Sequence, residues 1–280
     1  MDQVNVEAWI GRSLSDVGEI DLTMAAKLHA TLGRAEASPP RTGDLLPPLW
    51  HWSAFVPMTH TEHLGPDGHP GPGALLPPLG LPRRMWAGGA LRFHAPIRVG
   101  DILHRHTAVQ SIDTKTTASG PMALVTLDHR IVGPRGLLAI EERQDIVYLP
   151  MPDSFTPSKK RPMPAEPVER LDMSPTLLFR FSAVTFNAHR IHYDQDYAQS
   201  VEKYPGLVVH GPLQAALLMR HAVETRQRPP SYFDFRAVHP LFAATALDIC
   251  TTEEDGVLSL FTGQNGHQGM RASAMWEDTQ

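Results

Sequence analysis

The decapeptide TFNAHRIHYD, residues 185–194, gathers Asn187, His189, Arg190, His192, Tyr193 and Asp194. These side chains move protons or hold polar substrates, and three chemistries are open to such a set. A metal site would draw on His189 and His192, three residues apart, with Asp194 and His210 as supplements. The run FRFSAVTFNAHRIHYD reads as a strand entering a loop, however, and in an extended chain residues three apart point to opposite faces. No second paired spacing supports zinc, so no metal is expected. Nucleophilic catalysis lacks a G-x-S-x-G elbow, and the single cysteine, Cys250, sits in a strand-like run that suits a buried structural thiol. GPDGHPGPG, residues 65–73, is too rich in proline for a phosphate loop and precedes no helix, so no cofactor is expected.

General acid–base chemistry remains. His192 titrates near neutrality and can both take and give a proton. Asn187, five residues earlier, could hold a water by accepting and donating at once. The pair His210–Gly211 opens an apolar segment, HGPLQAALLMRHAVETRQ, whose composition and spacing predict a helix with Pro212 in its first turn. Unpaired N–H groups at such an end stabilise negative charge on a carbonyl oxygen, and glycine permits close approach. Among 15 histidines, His192 taken alone is better read as a hydrogen-bonded loop histidine.

The elements that must position these residues fall in two halves. LRFHAPIRVGDIL, from Leu91, aligns with FDFRAVHPLFAATAL, from Phe233, so that Phe93 matches Phe235, Ala95 matches Ala237 and Val99 matches Leu241. Period-two alternation after each copy predicts antiparallel strands. LTMAAKLHATLG is a candidate helix of the first half, and residues 39–84 read as irregular loops. The expected organisation is a first repeat over 1–149 without catalytic groups, a proline-rich linker over 150–167, and a second repeat over 168–280 that carries the site.

Composition excludes several classes. The chain has 280 residues, 42% hydrophobic and 20% charged, with a net charge of −5. Nothing in that balance favours nucleic acid or an anionic membrane surface. One cysteine forbids an intrachain disulfide, the start MDQVNVEAWIGRS does not resemble a secretory signal, and apolar runs are too short to span a bilayer. A cytoplasmic protein is expected.

FNAHRIHYD followed by VVHG resembles the MaoC-like, R-specific enoyl-CoA hydratase family of hot-dog folds, whose signature runs approximately G-D-x-N-P-[LI]-H-x-D with a downstream HG. TFNAHRIHYD…YPGLVVHGPLQ is more similar to the branch of mesaconyl-C4-CoA and itaconyl-CoA hydratases and 3-hydroxyacyl-thioester dehydratases. The resemblance implies an α+β tandem double hot-dog, two antiparallel sheets each wrapped on a central helix as a pseudo-dimer. It implies hydration of an α,β-unsaturated acyl-CoA, with His192 at the catalytic histidine position. Asn187 stands where the family has a catalytic aspartate, and His189 and Arg190 replace its Asn-Pro. An amide cannot act as a carboxylate base, so the usual Asp/His division of labour is altered. The implied roles are water activation by His192, water positioning by Asn187 and carbonyl polarisation by the Gly211 N–H.

Substrate contacts are expected from His189, Asp194 and His210 around the acid–base residue. A dicarboxylyl substrate needs a cation, for which Arg190 stands beside that residue, with Arg84 and Trp86 approaching from the other half. A structural salt bridge is the alternative for Arg190, and loop solvation for Arg84. The triplet Lys159–Arg161 either meets a CoA phosphate or is a solvated linker. Two rivals stand beside hydration: a hot-dog thioesterase, and a subunit that binds acyl-thioesters without reaction. Association into a homo-oligomer, foremost a dimer, is expected.

Overall fold

The computed structural model describes residues 5–73, 75–117 and 120–277. Buried and exposed side chains alternate along β3 (Ile102–Thr117) and β4 (Gly120–Val132), as a sheet with one covered face requires. With β1 (Ser13–Glu19), β2 (Arg83–Phe93) and β5 (Leu138–Leu149) they form the first half of a sheet. β6 (Glu169–Leu171), β7 (Tyr232–Ala237), β8 (Leu247–Glu254), β9 (Val257–Gln264) and β10 (His267–Met275) form the second. Among the described residues these ten strands make one sheet in the order β1-β3-β4-β5-β2-β7-β10-β9-β8-β6.

That order reads the same from either edge once each strand is exchanged for its counterpart, β2 for β7 and β5 for β10. The seam is the antiparallel pair β2–β7, in which Leu91 faces Phe233 and Gly89 faces Phe235. Leu91 and Phe233 are also matched positions of the two similar segments, so the pseudo-twofold axis passes through that pair. This is the tandem double hot-dog.

What fills the two halves differs. α4 (Gly211–Arg226) is buried on nearly all sides, by Leu213, Leu217, Leu218, Met219 and Ala222 among others, and packs on β2, β7, β9 and β10. Every residue from Leu213 to Met219 is buried, so this half of the helix is in the core whichever way it faces, while Arg220, His221 and Glu224 bring its end to the surface. Truncating Leu213 or Leu218 to alanine would cost about 2–5 kcal/mol. In the first half α1 (Leu22–Leu32) packs on α2 (Pro175–Val184) instead. A short 3-10 turn, Trp50–Ala54, puts Trp50 into the core of this half beside Leu28, Leu49 and Phe55. Glu142 on β5 pins it, accepting from Trp52 Nε1 (2.8 Å) and His51 Nε2 (3.0 Å). Cys250 is buried on β8. Residues 150–167 form no regular element apart from an isolated bridge at Pro162, but Ser154–Ser158 reach a cavity wall. Among the described residues no helix is long and apolar enough to cross a membrane.

Candidate active site

The segment expected as a strand entering a loop is helical at its start. Ser174 caps α2, its hydroxyl accepting from the Leu177 N–H (3.2 Å), and Pro175 stands in the first turn. Leu178, Phe181 and Ser182 then face inward at helical spacing. Alternation through Phe179–Ser182 fits either period, and the Ser-Pro start decides between them. After α2, Phe186 adopts a positive φ of 49° and the chain turns. The His189 N–H donates to Asn187 Oδ1 (2.9 Å), and one 3-10 turn, Arg190–His192, follows. His189 and His192 therefore meet on one side, ring centroids 5.3 Å apart and nearly perpendicular; the expectation of opposite faces assumed an extended chain.

His192 is buried, and its Nδ1–H donates to Val208 O (2.7 Å). The Val208 N–H in turn donates to Ile191 O (2.9 Å), so the two sequence motifs are laced together. A carbonyl only accepts, so Nδ1 carries the proton and Nε2 keeps its lone pair. Burial, then the neighbouring His210 and His189, holds His192 well below the usual imidazole range. His210 stacks on it at 3.6 Å and 20°, shares a hydrogen bond with Ser182 Oγ (2.8 Å), and is lowered by burial to about 3. Next in sequence, Gly211 opens α4; the His210 side chain makes no cap hydrogen bond there and Pro212 brings no N–H.

His189 is held from behind. Its Nε2–H donates to Glu202 Oε1 (3.0 Å), and Arg83 Nε donates to Glu202 Oε2 (3.1 Å). In front of it stands His69, brought from the first half by the loop Gly65–Pro70, with ring centroids 4.2 Å apart. Asp67 accepts from both the His69 N–H (3.0 Å) and Nδ1–H (2.8 Å). Burial alone would raise the Asp67 carboxyl, but the His69 hydrogen bond and charge bring it down to about 2. Burial outweighs Asp67 at the imidazole and lowers His69 to about 4.

A cavity of about 870 Å³ collects these groups. Asn187, His189, His192, Gly211, Arg84 and Trp86 line it, together with His69 and Gln214. It runs on into the first half to Thr107, His129 and Gln144, where His129 meets Thr107 Oγ1 (2.8 Å) and Gln144 Oε1 (3.2 Å). His210 lies behind His192, off the cavity wall. Arg190 and Asp194 are not brought to the wall either. They bond each other (2.7 Å), Asp194 caps α3 (Gln195–Ser200), and Arg190 donates to Pro66 O (3.0 Å). Arg84 donates to Pro70 O (3.2 Å) and, among the described residues, has no carboxylate partner. Trp86 packs against Trp52 with the rings tilted by 59° and centroids 4.9 Å apart, and its carbonyl faces Gly211.

Among the described residues two groups, Asp67/His69/His189 and Glu169/His221/Glu224, bring ligand-type atoms within 4.8 Å of one another. In the first, Asp67 already bonds His69 and His189 bonds Glu202. In the second, Arg34 and Arg220 occupy Glu169. Hydrogen bonding accounts for both groups, and neither is assigned a metal.

The model of the family described as hydroxyacyl-thioester dehydratase type 2 matches residues 49–243. The chain belongs to that family. It is a hydro-lyase. Mesaconyl-C(4)-CoA hydratase of Chloroflexus aurantiacus is 46% identical over 247 residues, 86% of this chain and 87% of the relative. Among solved structures, HtdX of Mycobacterium tuberculosis superposes with a TM-score of 0.70 at 18% identity, covering 95% of this chain and all of that one. Another protein of that organism, described as a double hotdog fold, gives 0.57 at 15% identity, covering 95% and 96%.

Asp67, His69, Arg83 and Glu202 belong to none of the motifs that the sequence presents. For the first pair a signal exists: an acid two residues before a histidine, with glycine between, is the pattern of an Asx turn. For Arg83 and Glu202, far apart in the chain, none does.

Proposed function

We propose that the chain reversibly hydrates an α,β-unsaturated acyl-CoA, foremost a branched C5 dicarboxylyl-CoA such as mesaconyl-C4-CoA or itaconyl-CoA. The observation that carries this reading is the buried, neutral His192, with Nε2 bare, in one cavity with Asn187 and the start of α4. The thioester carbonyl sits at Gly211, whose N–H faces the negative charge that grows on that oxygen as water adds. His192 Nε2 accepts a hydrogen of the water. Asn187 Oδ1 is engaged by the His189 N–H, so its amide holds the water chiefly by donating through Nδ2.

In mesaconyl-C4-CoA the free carboxylate is on the carbon that receives the hydroxyl, so its counter-charge must stand close to the water. Arg84 supplies it, since it lies on the cavity wall near His69 without a carboxylate of its own. The identity to mesaconyl-C(4)-CoA hydratase supports the same choice. The single cysteine supports a reducing, cytoplasmic setting, and the edge strands β1 and β6 leave surface for a homodimer.

A time course with mesaconyl-, itaconyl-, crotonyl- and longer 2-enoyl-CoA tests this. Loss of enoyl-thioester absorbance without release of free thiol is expected, with His192→Ala lowering kcat about 100-fold or more. Thiol release would indicate thioester cleavage instead, and an undiminished His192→Ala rate would remove His192 from the chemistry.

A further inference from the structure

Asn187 leaves the site without a carboxylate at the position where the family resemblance implies one, yet His69, an imidazole held by the Asp67 carboxylate behind it, reaches the cavity wall by another route. Asp67 and His69 come from the first half, on a loop fixed to the segment that carries His189. The Arg190 N–H donates to Asp67 O (2.9 Å), Arg190 Nη1 to Pro66 O (3.0 Å) and Arg84 Nη2 to Pro70 O (3.2 Å). Gly68 sits so close that a Cβ there would stand 1.8 Å from Ala188 O. This is a loop built against the site, not one lying near it.

The Asp67 carboxylate sets the tautomer of His69: Nδ1–H donates to Asp67 Oδ2 at 2.8 Å, so Nε2 is an acceptor. The His69 ring lies against His189, tilted by 40° with centroids 4.2 Å apart, while His192 meets His189 edge-on, and both His69 and His192 line the cavity. The two imidazoles differ in what balances a proton. A protonated His192 would face a neutral carbonyl at Nδ1 and lie between His210 and His189. A protonated His69 would have a carboxylate at hydrogen-bond distance, the arrangement that favours the charged form.

Resting on the hydration reading, we propose that His69, aligned by Asp67, is the catalytic base that takes the proton of the adding water, in place of a carboxylate at position 187. The O–H bond of water breaks toward His69 Nε2 as the C–O bond forms at the β carbon. The π pair of the double bond moves to the thioester oxygen as an enolate facing Gly211. His69 then returns that proton to the α carbon, and no other reactant is consumed. His192 holds the second hydrogen of the water. Asp67 is a positioning residue, since it acts only through His69.

The groups facing His69 are Asp67 on its own loop, Arg84 on β2, and His189 with Glu202 and Arg83 behind it. Of these Asp67 favours protonation of His69, whereas Arg84 and His189 oppose it. Removing the Asp67 charge therefore makes His69 harder to protonate and moves the acid limb of the rate profile to lower pH.

The test compares wild type, His69→Ala and Asp67→Asn on mesaconyl-C4-CoA and crotonyl-CoA, with thermal melts as a check on folding. His69→Ala is expected to lose about 100-fold or more in kcat with KM nearly unchanged, and to be partly rescued by added imidazole. Asp67→Asn is expected to lower kcat and shift the acid limb downward; if His69→Ala does not fold, this variant decides. An active wild type with an unimpaired His69→Ala, or an unmoved acid limb in Asp67→Asn, overturns the inference alone. A wild type inactive on both thioesters overturns the hydration reading and the inference with it. Turnover lost on dialysis against EDTA overturns it in favour of a metal at Asp67, His69 and His189.

Discussion

A methyl group on Gly211 would stand 3.5 Å from Trp86 O and 3.9 Å from Met270 Cε, ordinary contact distances. Packing alone therefore does not require glycine there, and the requirement must come from what binds. Gly211→Ala should fold with stability within about 0.5 kcal/mol of wild type and lose about 100-fold in kcat/KM. A melt and a steady-state assay on one preparation check this, and retained activity would move the thioester away from α4. His192 and Gly211 were legible in the sequence because each belongs to a short motif that carries its own local geometry. The environment of Asn187 was not, since its oxygen is occupied by a turn that no residue pattern announces. Arg190 was open to two readings, substrate anchor or structural salt bridge, and the Asp194 carboxylate at 2.7 Å favours the second.

At the scale of elements, α4 and the strands of both halves follow from period and composition, and α2 is the exception. Its sequence satisfies two periods over four residues, and only the Ser174–Pro175 start separates them. The loop Gly65–Pro70 was harder still, because its shape is imposed by partners distant in the chain, Ala188 and Arg190. Gly68 combines a φ of +88° with that contact. Gly68→Ala should destabilise the fold by about 1–3 kcal/mol, and kcat should fall by more than the melt alone explains, since the loop must retreat from His189. Equal retention of kcat and stability would show that the loop contributes nothing to turnover. The same long-range reach explains why Glu202 and Arg83 escaped notice.

Across the whole molecule, neutral histidines, three buried and His69 half-buried, set the response to acid. His69 and His210 are held at about 4 and about 3, and His192 and His129 are also lowered, chiefly by burial. In the unfolded chain each takes up a proton near pH 6.5, so stability is full above that value and is lost as pH falls toward the folded values. The melting temperature should therefore drop steeply from pH 6.5 to 4, with a shallower slope in His210→Gln; a flat profile would mean these imidazoles are protonated in the folded state. The seam adds a consequence in the order of synthesis. β2 is made long before β7, and Gly88 and Gly89 give its edge no side chain to shield it. Until Tyr232–Ala237 has left the ribosome that edge has no partner within its own chain. An open strand edge is a template for pairing. The join that completes the enzyme is thus also the place where two unfinished chains on neighbouring ribosomes would stick together.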